Sequence, residues 1–195
     1  MNDLKIVKLN GGLGRRNPSG DMISGFLANG VAVTGGVQLN EVYRLKGIKD
    51  AIALGITETY DTDNSILVYE HLKEAFRINP DADIYIMLVA QSVSYVDMVD
   101  STKDYAKKLL QEADGEIKQL FVAFNPAKAV KDFTNTAAAI SKAQELAVEE
   151  YSQHRPVCIL LEGKGFQLSA PVDFRALNAK DVSVMIGQAL SVANK

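Results

Sequence analysis

The pattern of hydrophobic and polar positions changes at about residue 46. Residues 1–46 are rich in Gly and Asn and carry short β-prone pieces, LKIVKL, GVAVTG and EVYRL, without any helical period. From residue 47 onward, helical and strand patterns alternate. The sequence therefore predicts an extended, glycine-rich N-terminal arm with short strands over residues 1–46, followed by an α/β domain over residues 47–195.

Four stretches of the second part are predicted to be helical because their apolar residues recur at spacings of three and four. They are residues 49–56, with Gly55 as the closing residue; 63–77, with Asp63 or Asn64 as the cap; 101–115, with Ser101 and Asp104 as a capping-box-like start and Gly115 at the end; and 135–152. In the last of these we expect one apolar face, formed by Ile140, Ala143, Leu146, Ala147 and Tyr151.

Four apolar runs alternate with these helices: DIYIMLVA, EIKQLFVAF, RPVCILLEG and DVSVMIG. They are short for helices and are apolar throughout rather than at every second position, which is typical of strands buried on both faces of a parallel sheet. Alternation of such strands with helices, together with the right-handed crossover rule, predicts a doubly wound α/β sandwich.

Composition narrows the possible partners. A net charge of −3 provides no general field that would attract nucleic acid or an anionic membrane, so we expect neither as a partner. The N-terminus lacks a signal-peptide pattern and no stretch reaches the roughly 20 apolar residues of a membrane span, so we expect assembly in the cytoplasm. The single cysteine, Cys158, excludes an intrachain disulfide and is predicted to be a small core hydrophobe.

The stretch KLNGGLGRRNPSGD, residues 8–21, is the strongest candidate for chemistry. A dinucleotide-binding loop must end a strand and open a helix, because the helix N-terminus holds the phosphates. Gly12 and Gly14 fit that pattern, but position 17 is Asn and the turn-forming Pro18-Ser19-Gly20 follows. The loop is also similar to that of sugar nucleotidyltransferases. A nucleotide or nucleotide-sugar binding enzyme using Gly11–Arg16 therefore stays open as the alternative.

The remaining polar motifs are incomplete. Asp61, Asp63 and Ser65 alternate as at the start of a calcium loop, but the glycine and the bidentate acid that such a loop requires are missing, and helix capping accounts for them better. Two histidines, His71 and His154, and one cysteine make a zinc site improbable, and no serine stands in a nucleophile elbow. We therefore expect no enzyme activity, no metal and no cofactor.

Several phrases in a fixed order carry a resemblance that covers nearly the whole chain: GGLGRRNPSGD, NEVYRLKGIKDAIALGIT, YDTDNSILVYEHLKEAFRINPDADIYIMLVAQ, EGKGF and RALNAKDVSVMIGQ. In this order the chain resembles a family of Bacteroidetes prophage proteins that are similar to contractile phage tail sheath proteins. The resemblance implies a subtilisin-like but non-catalytic α/β sheath domain. It also implies a structural subunit that forms rings with copies of itself around a tail tube protein, in a virion tail or injection apparatus.

The resemblance also gives the glycine loop a different role. Extended arms of sheath proteins pair with neighbouring subunits, so we expect Gly11, Gly12 and Gly14 to act as a hinge and Arg15 and Arg16 to contact a neighbouring copy. A protein-binding module that uses the arm as its recognition strand is a further hypothesis. Sheath proteins continue beyond the last strand seen here, so we expect the α/β domain to be truncated at Lys195.

Overall fold

The computed structural model describes residues 23–128, 133–167 and 169–186. Its strands are β1 (Ile23–Gly30), β2 (Val42–Leu45), β3 (Asp83–Ala90), β4 (Gln119–Ala123), β5 (Cys158–Glu162) and β6 (Val182–Met185). Its helices are α1 (Ile48–Ala53), α2 (Glu58–Asn64), α3 (Val68–Ile78), α4 (Tyr95–Val99), α5 (Ala106–Glu112) and α6 (Thr134–Ser152), with a short 3₁₀ helix at Phe174–Leu177.

The six strands form one mixed sheet in the order β2-β3-β1-β4-β5-β6. All neighbouring pairs are parallel except β2 with β3, which is antiparallel. β1 lies inside the sheet and pairs with β3 along all eight of its residues and with β4 along five. Among the described residues, no helix is long and apolar enough to cross a membrane.

The sequence of β1, ISGFLANG, contains residues that strands usually avoid, and close packing explains two of them. A Cβ atom on Gly25 would lie 2.9 Å from Leu120 Cδ1, and one on Gly30 would lie 2.8 Å from the hydroxyl of Tyr60. That hydroxyl donates to the carbonyl of Val31 at 2.7 Å and accepts from the Val31 amide at 2.9 Å. The two glycines therefore let neighbouring side chains reach the backbone of the central strand.

Apolar side chains pack on both faces of the sheet. On one face, the core contains Leu27 of β1 and Ile159 of β5 and is covered by α4, α5 and α6. On the other face, the core contains Phe26 of β1 and Ile86 of β3 and is covered by α1, α2 and α3. Among the described residues, this second core includes no residue of β5 or β6.

The prediction of an α/β fold with a mostly parallel sheet is confirmed. A doubly wound, subtilisin-like sandwich remains a prediction at that level of detail. Residues 23–46, which the hydrophobic pattern predicts to be part of the arm, supply both β1 and β2. Of the predicted arm, only residues 1–22 lie outside the described residues.

Two of the predicted helices differ from the observed ones. The segment 63–77 is divided between α2 and α3 by Ser65, whose φ of 55° lies in the left-handed region. In place of the segment 101–115 there is only α5, and Ser101 caps no helix; α4 was not predicted. On α6 the predicted apolar face is buried except at Tyr151, which is 72% exposed near the helix end.

Asp61 of α2 caps α3. One of its carboxylate oxygens accepts from the amides of Val68 and Tyr69, and the other accepts from the amide of Glu70, all at 3.0 Å. These amides lie in the first turn of α3, where no intrahelical acceptor exists. Burial raises the pKa of Asp61 to about 6, against the opposing effect of the three amide donors. Neither Asp63 nor Asn64, the predicted caps, has this role.

We expect Asp61→Ala to lower the free energy of unfolding by about 2 kcal/mol, because one buried and two partly buried amides lose their acceptor while the cost of burying a carboxylate is relieved. Urea unfolding followed by circular dichroism measures the difference. Asp63→Ala is the matched control, since Asp63 is exposed on the same helix. Equal stabilities of the two variants would contradict the capping role.

Candidate interaction surface

An open groove of about 460 Å³ lies on the sheet face that α3 borders. Its wall is formed by His71, Leu72 and Ala75 of α3, and its floor includes Phe121 of β4 and Leu160 of β5. The groove exists because α1, α2 and α3 cover the β1 side of this face but not β5 and β6. None of the described residues lining it is Asp, Glu, Lys or Arg.

Aromatic rings fix the geometry of the groove at its centre. Phe26 and Phe121 are stacked, with ring centroids 5.5 Å apart and an interplanar angle of 5°. The ring of His71 presents an edge to both, with centroid distances of 6.0 Å to Phe26 and 5.5 Å to Phe121. Edge-to-face and offset-stacked contacts are the favoured arrangements of such rings, so the wall and the floor of the groove hold each other in place.

His71 is neutral in this setting. Burial lowers its pKa below the ordinary value of 6.5, because the charged ring would be removed from water. Its Nε2 atom is buried and has no hydrogen-bond partner among the described residues. The imidazole therefore acts in the groove wall mainly as an apolar ring.

The outer edge of β6 is the second open feature. The amide of Ile159 donates to the carbonyl of Asp181 at 2.9 Å, and the amide of Gly163 donates to that of Met185 at 2.7 Å. Along a strand, successive residues point their backbone groups to opposite sides, so the groups of Val182 and Val184 point away from β5. The amide of Val182 donates to the carbonyl of Ala179 at 3.4 Å, which leaves the groups of Val184 as the outward pair of the strand. The described residues include no strand beyond this edge. Two exposed apolar residues lie at the end of this strand: Met185 and Ile186.

The carboxyl ends of the parallel strands, where α/β proteins commonly bind ligands, are instead joined by internal hydrogen bonds. Asn29 donates to the carbonyls of Ala90 and Val93 and accepts from the amide of Asn125 at 3.0 Å. Glu162 accepts from the amide of Phe124 at 3.1 Å and pairs with Lys164 at 2.7 Å. The side chains of Asn29 and Glu162 thus bind backbone groups of neighbouring segments and hold the strand ends together.

The structure places the sequence-predicted residues as follows. Gly11, Gly12, Gly14, Arg15 and Arg16 lie outside the described residues, so both the hinge and the nucleotide-loop interpretations stay predictions. Within the described ranges, no group of three or more His, Cys, Asp or Glu residues is placed to hold a metal ion.

Cys158 was predicted to be buried and is exposed. It is the first residue of β5, and Ile159 beside it faces the core under α6, so the side chain of Cys158 points to the opposite, partly uncovered face. The apolar run alone could not show which face of the strand was covered. The β6 edge and the groove were missed for the same reason, since both depend on strand order.

A family model described as "DUF2586, N-terminal domain" matches residues 1–191. No curated protein matches the chain. One solved structure similar to the chain is a cryo-EM structure of the helical sheath of the anti-feeding prophage in its contracted state, with 16% sequence identity and a TM-score of 0.47. The match covers 83% of this chain and 38% of the sheath chain, so the chain spans less than half the length of that protein.

We expect the ring-proton NMR signal of His71 to titrate below its ordinary pKa, because burial disfavours the imidazolium. The depressed pKa means that the folded state binds this proton more weakly than the unfolded state does. Stability due to this group is therefore present above pH 6.5 and is lost as the pH falls from 6.5 through the lower pKa of the folded state.

The measurement is an NMR pH titration, and a His154→Asn variant assigns the signal of the only other histidine. Urea unfolding gives the free energy of unfolding of His71→Leu and of the unsubstituted chain. The difference between them should shift in favour of His71→Leu when the pH is lowered from 7 to 5. A titration of His71 at or above pH 6.5 would contradict its place in the groove wall.

Proposed function

We propose that this chain, which belongs to the DUF2586 family, is a structural subunit that associates with copies of itself in a sheath-like assembly. The open edge of β6 is the observation that carries this proposal. Unpaired backbone donors and acceptors on an edge strand are a template for a further strand, and exposed apolar residues at the same edge strengthen such pairing. The ordered resemblance of the sequence to tail sheath proteins supports the same role.

In this role an extended segment of one copy adds to the β6 edge of the next. Residues 1–22 are the proposed donor, since the piece LKIVKL has the composition of a strand and the glycine loop after it allows a change of direction. The partners are other copies of the chain, arranged in rings, and a tail tube protein inside them. The place of action is a tail or injection apparatus, and the subunit works without a cofactor.

Polar side chains at the carboxyl ends of the strands agree with a structural role. In the described residues, the oxygen of Asn29 accepts from a backbone amide, and Glu162 directs one oxygen to a backbone amide and the other to Lys164. Such groups stabilise the strand ends and are not arranged around space for a substrate. The fold therefore offers an edge for association more readily than a centre for chemistry.

Val184→Pro should weaken self-association at least tenfold, because proline removes an amide that points away from β5 and so spares the β5–β6 pairing. Analytical ultracentrifugation and negative-stain electron microscopy of concentrated protein measure the effect. Val184→Ala is the matched control, since it loses the same side chain but keeps the amide. Assembly of the proline variant at the level of the alanine variant, with both folded by circular dichroism, would rule out strand addition at β6.

The hinge proposal for the glycine loop has its own test. Replacing Arg15 and Arg16 together by Glu should weaken association and reverse its dependence on salt, because two attractive charges become repulsive at the contact with the neighbouring copy. The control is the double replacement by Lys, which keeps both charges. Sedimentation at low and high ionic strength gives the comparison, and unchanged assembly with an unchanged salt response would refute a role for these arginines.

A further inference from the structure

Side-chain packing anchors β6 less firmly than any other strand of the sheet. Of its four residues, two are half-buried and two are exposed, whereas every other strand contains at least one buried residue. Segments with few buried contacts open more easily than the rest of a fold. The edge proposed for association therefore depends on a further interaction that holds β6 in place.

The connection that leads into β6 lacks the helix that precedes its neighbours. α4 and α5 lie between β3 and β4, and α6 lies between β4 and β5. In the described part of the connection from β5 to β6, which omits residue 168, the only helix is the 3₁₀ helix at Phe174–Leu177. The chain then turns at Ala179, whose carbonyl accepts from the amide of Val182. Contacts of the residues just before β6 thus set the direction in which the chain enters the strand.

Gln144 of α6 makes these contacts. Its Oε1 atom accepts from the backbone amide of Asp181 at 2.9 Å, and its Nε2 atom donates to Oδ2 of the same residue at 2.8 Å. The carbonyl of Asp181 accepts from the amide of Ile159 in β5 at 2.9 Å. A hydrogen bond to a carboxylate is stronger than one between neutral groups. The residue that begins β6 is therefore bound to both α6 and β5.

The position of α6 is fixed by contacts on its other side. Lys142 pairs with Asp100 at 3.8 Å, and Glu149 pairs with Lys107 of α5 at 2.6 Å. At about 100° per residue, these two side chains lie about 140° to 160° around the helix from Gln144. One flank of α6 thus faces α4 and α5, and the flank that carries Gln144 faces β6.

We propose that Gln144 is a positioning residue for the β6 edge. By binding Asp181 it keeps β6 paired with β5 and presents the outward amide and carbonyl of Val184 to a second copy of the chain. This inference rests on the proposed function, in which that edge receives a strand. A strand that is ordered before association loses less conformational entropy on association. Loss of the two hydrogen bonds should therefore weaken association although the contact surface itself is unchanged.

The test exchanges the side-chain amide and the carboxylate. Gln144→Glu removes the donor and places two carboxylates against each other. Asp181→Asn is the matched control, because the oxygen of a side-chain amide can still accept from Gln144. Combining both substitutions restores the pairing, since a carboxylate at position 144 can accept from the backbone amide and from the side-chain amide at position 181.

Two measurements separate the position of β6 from association. Amide hydrogen exchange, followed by NMR at a concentration where the protein is monomeric, reports the amides that β6 directs to β5, those of Ser183 and Met185. In Gln144→Glu we expect them to exchange at least tenfold faster, while the amide of Leu27 in β1 keeps its rate. Sedimentation of concentrated protein should show association at least fivefold weaker. Asp181→Asn and the double variant should stay within twofold of the unsubstituted chain in both measurements.

Unchanged exchange of β6 in Gln144→Glu, an equal acceleration at Leu27, or a double variant no better than Gln144→Glu would each overturn the positioning role. Weaker association in Val184→Pro but not in Gln144→Glu would also overturn it and would leave the proposed function standing. Unaffected association in Val184→Pro would instead refute strand addition at β6, and with it the inference that rests on it.

Discussion

The sheet depends on the two ladders of hydrogen bonds that β1 makes, one with β3 and the other with β4. A parallel strand flanked on both sides has no freedom to shift, since a slip of one residue would turn Phe26 and Leu27 toward the wrong faces. Several residues of β1 meet this constraint although their intrinsic preference for strands is low. Gly25 and Gly30 make room for Leu120 and Tyr60, and buried Asn29 holds the ends of β3 and β4.

The same constraint explains which parts of the fold could be predicted from the sequence. β3, β4 and β5 are continuous apolar runs, and the pattern for α6 has a regular apolar face, so their existence followed from periodicity. β1 did not follow, because Gly25, Asn29 and Gly30 are typical of loops when seen without their neighbours. The division between α2 and α3 was likewise hidden, because Asp61 caps a helix seven residues further along and no local rule covers that distance.

Prediction of the interaction surface was limited in another way. An apolar strand shows that both of its faces tend to be buried, but it does not show what buries them. Leu160 and Ile159 are neighbours in one run, yet Ile159 is fully buried beneath α6 and Leu160 borders an open groove. Coverage of a sheet face depends on strand order and on where each crossover helix lies, which is information about the whole chain rather than about any one segment.

The groove and the β6 edge differ in the kind of interaction that each lacks. The outward carbonyl of Val182 and the outward amide and carbonyl of Val184 can bind water, so an edge without a neighbouring strand costs little in the free subunit and can gain or lose a strand reversibly. Water does not compensate for the exposure of the Leu160 and Met185 side chains in the same way. The free energy of apolar surface falls only when that surface is removed from water. A reversible contact between copies therefore suits the edge, whereas the open groove costs free energy in the free subunit.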